Sequence, residues 1–232
     1  MKLSDRLLSC AKMVHTGNVA ADVGTDHGYL AIFLLEENIC PVAYASDIRE
    51  GPLSAAMRNA KKAGCSERMF FCLSDGLSML PMDSIQTVIC AGMGGDTIIH
   101  ILEAEPSVFS GEKQLVLQPQ SKAADLRRWL AARGFTIHQE VLSQDGKFLY
   151  SAMDASWTGE KRTLSLRQAL VPDALLKSGD PLFSHYFSRV SDSLQATILG
   201  LKKANQRNEA LLAEYEKAHR ELQEMRDEYG IG

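Results

Sequence analysis

The chain has 232 residues and a formal net charge of −4 at pH 7, enough length for one full domain and a smaller appendage. The negative balance argues against a protein that binds nucleic acid through a basic coat, although local basic groups still permit individual phosphate contacts. The five cysteines are odd in number and lack a CxxC spacing. They predict reduced thiols, with neither a disulfide framework nor a bound metal.

The start of the chain carries no apolar leader segment, because charged residues (Lys2, Asp5, Arg6 and Lys12) interrupt it. No part of the sequence approaches the roughly 18 consecutive apolar residues that a membrane helix requires. These features predict a cytoplasmic protein without a membrane anchor.

Up to about residue 154, short apolar runs alternate with amphipathic stretches. Seven runs have the character of strands: Val19–Val23, Val42–Ile48, Met69–Leu73, Thr87–Ala91, Leu115–Gln118, Phe135–Leu142 and Phe148–Met153. The amphipathic stretches predict helices over Tyr29–Glu37, Pro52–Ala63, Thr97–Glu105 and Ala123–Arg133. Such alternation favours a parallel sheet that is covered by helices on both faces.

The last two predicted strands are separated only by the short segment Ser143–Gly146. A connection of this length is a hairpin turn, so the final strand is expected to run antiparallel to its neighbour. The sequence therefore predicts an α/β fold with a Rossmann-like, seven-stranded sheet whose last strand is antiparallel. Dinucleotide-binding Rossmann domains lack this hairpin, whereas class I S-adenosylmethionine-dependent methyltransferases have it. We assign residues 1–154 to such a cofactor-binding, catalytic domain.

Residues 155–232 show no strand pattern and form the second predicted domain. Two segments there, Phe183–Leu201 and Leu211–Tyr229, have heptad positions that alternate in steps of four and three. The predicted seam positions are Phe183, Phe187, Val190, Leu194, Thr197 and Leu201 in the first segment and Leu211, Tyr215, Ala218, Leu222, Met225 and Tyr229 in the second. A polar stretch with Asn205 and Asn208 separates the two segments. We predict an antiparallel coiled-coil hairpin and a monomer or weak homodimer. The alternative is one continuous helix that dimerises.

The stretch DVGTDHGYL, residues 22–30, begins at the end of the first strand and combines a glycine turn with acidic side chains. In dinucleotide-binding folds a glycine stands where Asp26 stands here, because the diphosphate must approach the backbone. A carboxylate would repel a diphosphate but suits S-adenosylmethionine, whose ammonium and sulfonium groups are cationic. We expect Asp22 to meet the ammonium, directly or through water. Gly24 and Gly28 would permit the turn and the close start of the next helix.

Three further strand ends carry residues suited to the same cofactor. The acid that ends the second strand stands 19 residues after Gly28, close to the spacing of about 20 at which a carboxylate binds ribose hydroxyls. An acid after the third strand is placed to hold the adenine amino group, and the motif CAGMGG ends the fourth strand where substrate meets the methyl group. A single acid at a strand end is more often a helix cap. Suitable residues at four successive strand ends, however, support the assignment of a cofactor site together. The predicted contacts at these ends are Asp47, Ile48, Asp75, Gly76, Ala91 and Met93.

Together these motifs resemble the bacterial tRNA (adenine(22)-N1)-methyltransferase family. The resemblance rests on DVGTDHGYL, SDIREGPL, CAGMGGDTII, LVLQP and SQDGKFLY, followed by a helical pair, and it covers essentially the whole chain. Its most specific parts are GTDHGYL and GMGG, whereas the others are general to class I methyltransferases. The resemblance implies S-adenosylmethionine as donor, a coiled-coil appendage, and transfer of methyl to N1 of an adenine in the D-loop of tRNA.

The segment Gly92–Gly95 after the fourth strand offers no polar side chain to the substrate. This suits ring N1 of adenine, whose in-plane lone pair needs positioning more than deprotonation. The backbone carbonyls of Ala91 or Gly92 are candidates to hold the adenine amino group. Asp26 is a candidate to stabilise the positive charge that methylation creates. The alternative, that Asp26 only orders the turn or the cofactor ammonium, stays equally open.

Three other residues near this mouth are weaker candidates. Tyr29 is placed to stack on a flipped-out base, although a residue so early in a helix is as often part of the core. His27 is expected in the cofactor loop, and Gln118, which follows the fifth strand and precedes Pro119, is a candidate base contact. The predicted catalytic residues are therefore Asp26, Tyr29 and Gly92.

The C-terminal domain is expected to handle the tRNA substrate. Lys202, Lys203 and Arg207 lie together between the two heptad segments, where they are candidates for phosphate contacts. In the alternative, the helical pair only covers an apolar face or dimerises.

Other functions also stay open at this point. They are a methyltransferase for another RNA base or a small molecule, an NAD-linked oxidoreductase, and a non-enzymatic coiled-coil adaptor with a vestigial Rossmann domain. Asp26 and the terminal hairpin disfavour the oxidoreductase.

Overall fold

The computed structural model describes residues 2–204 and 208–231, and the chain divides into two compact units, Met1–Arg162 and Thr163–Gly232. The first unit contains seven strands: β1 (Ala20–Val23), β2 (Ala43–Asp47), β3 (Met69–Leu73), β4 (Thr87–Gly94), β5 (Gln114–Ser121), β6 (Phe135–Asp145) and β7 (Phe148–Trp157). Its α-helices are α1 (Asp5–Met13), α2 (Tyr29–Glu36), α3 (Glu50–Lys62), α4 (Gly95–Glu103) and α5 (Ala123–Arg133). The second unit contains α6 (Leu166–Leu170), α7 (Asp173–Lys177), α8 (Phe183–Lys203) and α9 (Glu209–Tyr229).

The strands form one sheet in the order β3-β2-β1-β4-β5-β7-β6. β1 to β5 pair in parallel, and β7 runs antiparallel to both β5 and β6. The predicted seven-stranded sheet with an antiparallel last strand is confirmed. The predicted division after residue 154 falls inside β7, which continues to Trp157.

The central strands are apolar on both faces because helices cover both sides of the sheet. Val88 and Ile89 in β4 and Leu115 and Val116 in β5 are fully buried, with neighbouring residues pointing to opposite faces. The five cysteines are free thiols, and all except Cys72 are buried. Parallel strands bring their carboxyl ends to one edge of the sheet, and this edge carries the candidate site.

An N-terminal helix, α1, was not predicted from the sequence. Ser4 caps it by accepting a hydrogen bond from the backbone N–H of Leu7, and Cys10, Ala11 and Met13 are buried. The helix packs against β4, β5, β6 and β7. Its apolar residues (Leu7, Leu8, Cys10, Ala11 and Met13) do follow a helical period, so the sequence contained the signal for this helix.

The second unit confirms the predicted helical hairpin, because α8 and α9 are separate helices that pack on each other. Asn208 begins α9 by accepting a hydrogen bond from the N–H of Leu211 at 3.0 Å, whereas Asn205 lies outside the described residues. The continuous-helix alternative is therefore wrong. The buried seam is formed by Phe183, Phe187, Ser191, Leu194 and Ile198 of α8 and by Leu212, Ala218, Leu222 and Met225 of α9.

The seam differs from the predicted heptad positions in both helices. In α8, Ser191 and Ile198 are buried in place of Val190 and Thr197, and in α9 Leu212 is buried in place of Leu211. Helix α6 also packs on α9, so α9 contacts two helices, whereas the heptad pattern implied only its contact with α8. Within residues 2–204 and 208–231, no helix combines the length and the apolar composition required to cross a bilayer.

A buried ion pair joins α5 to the terminal hairpin of the sheet. The Arg127 guanidinium donates to the Glu140 carboxylate through Nε at 3.2 Å and through Nη2, and Nη2 also donates to Ser151 Oγ at 3.2 Å. Arg127 and Glu140 are only 2% and 5% exposed. Each charge therefore depends on the other for the stabilisation that water would otherwise provide.

We expect Glu140→Gln to lower the free energy of unfolding by roughly 3–5 kcal/mol, because it leaves the Arg127 charge buried without its anion. The double variant Arg127→Met/Glu140→Leu should lose less, since it removes both charges. Urea denaturation measures both values, with the exposed Glu160→Gln as a control. A double variant at least as unstable as Glu140→Gln would contradict this account.

Candidate active site

The residues predicted around the glycine turn are brought together at the carboxyl ends of β1, β2 and β4. β1 lies between β2 and β4 in the sheet, so Asp22, Asp47 and Gly92 share one edge. The backbone N–H groups of Gly24 and Thr25 both donate to the carbonyl of Ser46, at 2.8 and 2.9 Å. These bonds tie the turn after β1 directly to the end of β2.

Backbone conformation requires glycine at both positions of the turn, and at Gly28 space requires it as well. Gly24 has φ +72°, and a Cβ there would lie 2.4 Å from Met93 Cε, the mobile end of a side chain. Gly28 has φ +71° and precedes α2; a Cβ there would lie 2.9 Å from Ala56 Cβ and 3.3 Å from Ala56 Cα. A side chain at either position would strain the backbone, and one at Gly28 would also push α2 and α3 apart.

Asp22 is a buried carboxyl group beneath this turn. It is 7% exposed, and Thr25 Oγ1 donates a hydrogen bond to its Oδ2 at 2.7 Å. Burial raises the pKa of Asp22 to about 6, and the bond from Thr25 opposes that shift only in part. An ammonium group above the turn would restore the stabilisation that the carboxylate loses by leaving water.

The middle of the turn is open to solvent. The side chains of Asp26 and His27 are 74% and 47% exposed, and His27 Nε2 lies 3.3 Å from Asp26 Oδ2. The His27 ring lies 5.3 Å from the Tyr29 ring, centroid to centroid, and Tyr29 is 43% exposed. An acid, an imidazole and a phenol ring therefore face outward side by side.

The ends of β2 and β3 differ in exposure. Asp47 is buried, and its Oδ1 accepts a hydrogen bond from the backbone N–H of Arg49 at 2.8 Å, whereas Ile48 is exposed. Asp75 is also exposed. Gly76 has φ +61° and packs against Ile101.

The end of β4 departs from regular pairing at the predicted mouth. The register with β5 shifts on either side of Met93, and Gly92 has φ +83°. The Gly92 N–H donates to Gln118 Oε1 at 3.1 Å, and Gln118 Nε2 donates to the Pro119 carbonyl at 3.0 Å. Gln118, predicted as a base contact, is fully buried, and its amide is bonded to the backbone of Gly92 and Pro119.

Arg6 is a site residue that the sequence did not reveal. It lies in the first turn of α1, and its Nη1 donates to Gln118 Oε1 at 2.6 Å. Ser4, two residues before Arg6, is a good helix cap and so indicates that a helix begins here. Nothing in the neighbouring sequence indicates that Arg6 contacts residue 118.

The basic residues predicted to touch tRNA differ in their surroundings. Lys202 Nζ lies 2.8 Å from Glu216 Oε1, so part of its charge is neutralised within the hairpin. Lys203 is exposed, and Arg207 lies outside the described residues. In the part of the chain that the structure describes, no cluster of His, Cys, Asp or Glu could hold a metal ion.

The reversed seventh strand and the acid-bearing glycine turn define a Rossmann-like methyltransferase fold. The chain belongs to the methyltransferase domain family, whose model matches residues 3–153.

The curated relatives of this chain include a tRNA methyltransferase. The chain is 36% identical over 148 residues to the tRNA (adenine(22)-N(1))-methyltransferase of Bacillus subtilis, covering 63% of this chain and 62% of the relative. The match thus spans about three-fifths of that curated relative.

Solved structures resemble nearly the whole chain. The B. subtilis M1A22 tRNA methyltransferase TrmK has a TM-score of 0.79 and 26% identity, covering 99% of this chain and 97% of that one. A Streptococcus pneumoniae protein crystallised with S-adenosyl-L-methionine has a TM-score of 0.81 and 28% identity, with coverage of 95% and 99%. The likeness therefore includes the helical unit as well as the sheet.

The raised pKa of Asp22 predicts a pH-dependent cost to folding. The pKa of Asp22 in the folded protein, about 6, exceeds the ordinary value of 3.8. The contribution of Asp22 to the free energy of unfolding is therefore most favourable below pH 3.8 and is lost as the pH rises through 6. Asp22→Asn should therefore stabilise the ligand-free protein at pH 7.5 by up to about 3 kcal/mol, at about 1.4 kcal/mol per pKa unit.

Urea unfolding of ligand-free wild type and Asp22→Asn at pH 4.5 and 7.5 measures this effect. The gain should be much smaller at pH 4.5, and the exposed Glu67→Gln should show no comparable change. An equal effect of Asp22→Asn at both pH values would mean that the carboxyl group is not destabilised by burial.

Proposed function

We propose that the protein transfers a methyl group from S-adenosylmethionine to N1 of the adenine at position 22, in the D-loop of tRNA. The observation that carries this proposal is the likeness to the B. subtilis M1A22 tRNA methyltransferase over 99% of the chain. The fold alone would leave the acceptor open, because unrelated functions share it. The likeness includes the helical hairpin, which a domain that only binds the cofactor does not need.

The cofactor assignment is supported by the acids at the strand ends. Asp22 is placed to meet the ammonium group, and the buried Asp47 is placed to accept hydrogen bonds from the ribose hydroxyls. Asp75, exposed after β3, is the candidate for the adenine amino group, beside Ile48 and Gly76. The other proposed cofactor contacts are Gly24, His27, Gly28, Ala91 and Met93.

The chemistry requires little acid–base assistance. The N1 lone pair attacks the methyl carbon in line with the breaking C–S bond, whose electron pair returns to sulfur. S-adenosylhomocysteine leaves, and the positive charge moves from the sulfonium to the methylated adenine. The protein must therefore align the two reactants and stabilise a cationic base.

Two exposed side chains of the turn are suited to these tasks. The Tyr29 ring is accessible for stacking on an extruded adenine, and the Asp26 carboxylate is accessible to the charge that develops on it. The backbone carbonyl of Ala91 or Gly92 would hold the adenine amino group. His27 contacts both Asp26 and Tyr29 and so is placed to orient them.

The direct test incubates the protein with methyl-labelled S-adenosylmethionine and an unmodified tRNA transcript that has adenine at position 22. We expect labelled 1-methyladenosine on nucleoside analysis, and none from the same transcript with guanine at that position. Label in another nucleoside, or transfer only to small molecules, would overturn the substrate assignment.

Asp26→Asn should lower kcat at least about tenfold, which corresponds to about 1.4 kcal/mol of transition-state stabilisation. Cofactor affinity should change little, because the group acts on the charge of the product base. Steady-state methylation and calorimetric cofactor binding measure the two quantities, with the exposed Asp83→Asn as a control. Weak cofactor binding combined with normal turnover at saturation would favour the alternative role of ordering the turn.

The helical hairpin is proposed to bind tRNA near its tip. Since Glu216 already pairs with Lys202, we expect Lys203→Glu to weaken tRNA binding more than Lys202→Glu. Removal of a single phosphate interaction should also reduce the slope of log affinity against log salt by roughly one. Filter binding over a salt series tests this, with Lys62→Glu, on α3, as a charge-matched control. Equal effects of all three reversals would indicate that only overall charge matters.

A further inference from the structure

Arg6 joins three strands at the edge of the sheet that carries the site. Its Nη1 donates to Gln118 Oε1 of β5 at 2.6 Å, and a Cβ on Gly92 of β4 would lie 3.1 Å from the same nitrogen. Its guanidinium carbon lies 5.8 Å from the centroid of the Tyr150 ring in β7. A half-buried cation from α1 therefore covers the backbone at the mouth of the site.

Arg6 reinforces the orientation of the Gln118 amide. Oε1 accepts from both Arg6 and the Gly92 N–H, while Nε2 donates to the Pro119 carbonyl. Arginine has donors only, so, like the Gly92 N–H, it favours the amide oxygen, and not the amide nitrogen, on the side of Gly92. The charge-assisted bond is also the stronger of the two that Oε1 accepts.

The backbone segment that Gln118 holds lies beside both the proposed acceptor site and the cofactor turn. Gly92 adopts a positive φ where the β4–β5 register shifts, so a side-chain acceptor takes up its N–H. The side chain of the next residue, Met93, reaches Gly24, where its methyl carbon lies 2.4 Å from the position that a Cβ would take. A displacement of this segment would move the acceptor side and the cofactor turn relative to each other.

We propose that Arg6 is a positioning residue, which acts through Gln118 to hold Gly92 where adenine meets the methyl group. This inference depends on the proposed function for its kinetic consequences but not for its structural ones. Because small misplacements of reacting groups strongly reduce rates, Arg6→Met should lower kcat about tenfold or more. The KM for tRNA and the dissociation constant for the cofactor should stay within about twofold.

The competing role for an arginine near the mouth is direct contact with a tRNA phosphate. In that case Arg6→Met would raise the KM for tRNA and reduce the salt dependence of binding, with kcat nearly unchanged. Its effect would also add to that of Gln118→Met, because the two side chains would then act independently.

The kinetic experiment is a double-mutant cycle with Arg6→Met, Gln118→Met and the combined variant. If Arg6 acts through Gln118, the combined variant should be no slower than either single variant within about twofold. Gln118→Glu, which keeps an acceptor for both donors, should lose less activity than Gln118→Met. Lys12→Met, an exposed basic residue on α1, is the matched control, and Arg6→Gln replaces Arg6→Met if the latter has a lower thermal midpoint. Additive losses, or a rise in KM alone, would overturn the proposal.

Hydrogen exchange gives a readout that does not require activity. The Gly92 amide proton should exchange about tenfold faster in Arg6→Met and in Gln118→Met than in wild type, and Lys12→Met should leave it unchanged. Unchanged exchange in Arg6→Met would refute the inference, whatever the kinetics. If wild type transfers no methyl group to tRNA, the proposed function fails, while the exchange rates still decide the role of Arg6.

Discussion

The parallel pairing of β1 with β2 and β4 is the constraint on which the arrangement of the site depends. Each residue of β1, Ala20–Val23, pairs with a residue of β2 and with a residue of β4, and the N–H groups of Gly24 and Thr25 bond to the Ser46 carbonyl at the end of β2. The cofactor turn follows β1 and the proposed substrate mouth ends β4. Their separation is therefore set by backbone pairing between adjacent strands and not by either loop alone. A rigid sheet of this kind suits a reaction that depends on alignment.

Two carboxyl groups in one short turn are placed in opposite environments. Asp22 is buried beneath the turn, where loss of hydration raises its pKa to about 6, whereas Asp26 is largely exposed four residues later. A buried acid favours a fixed cationic partner, which matches the ammonium of the proposed cofactor. An exposed acid can instead meet a charge that arrives with the substrate. The same residue type thus serves two proposed roles because burial differs.

The helical unit is held by its own core. The buried seam of α8 packs against α9, and α6 adds a further contact to α9, so the seam is buried within one chain, whereas Leu199 and Tyr229 are about half exposed. The polar ends of the two helices are left for other contacts, and Lys202 is already engaged there by Glu216.

The sequence by itself determined the alternation of strands and helices, the antiparallel hairpin and the glycine turn, because each depends on residues that are neighbours along the chain. The strand ends were predicted too short: β4 and β5 continue to Gly94 and Ser121, past their apolar segments. Beyond those segments, pairing with a neighbouring strand keeps the backbone extended, and the pattern of apolar residues no longer indicates where the strand ends.

Only the tertiary structure decided the surroundings of the mouth. Arg6 and Gln118 are 112 residues apart, and their bond depends on how α1 packs against the sheet. For the same reason the sequence predicted Gln118 as a base contact, since its local position after β5 says nothing about a cation arriving from α1. The acids of the turn were found because their chemistry and spacing are local, whereas Arg6 and Gln118 meet only because α1 packs against the sheet.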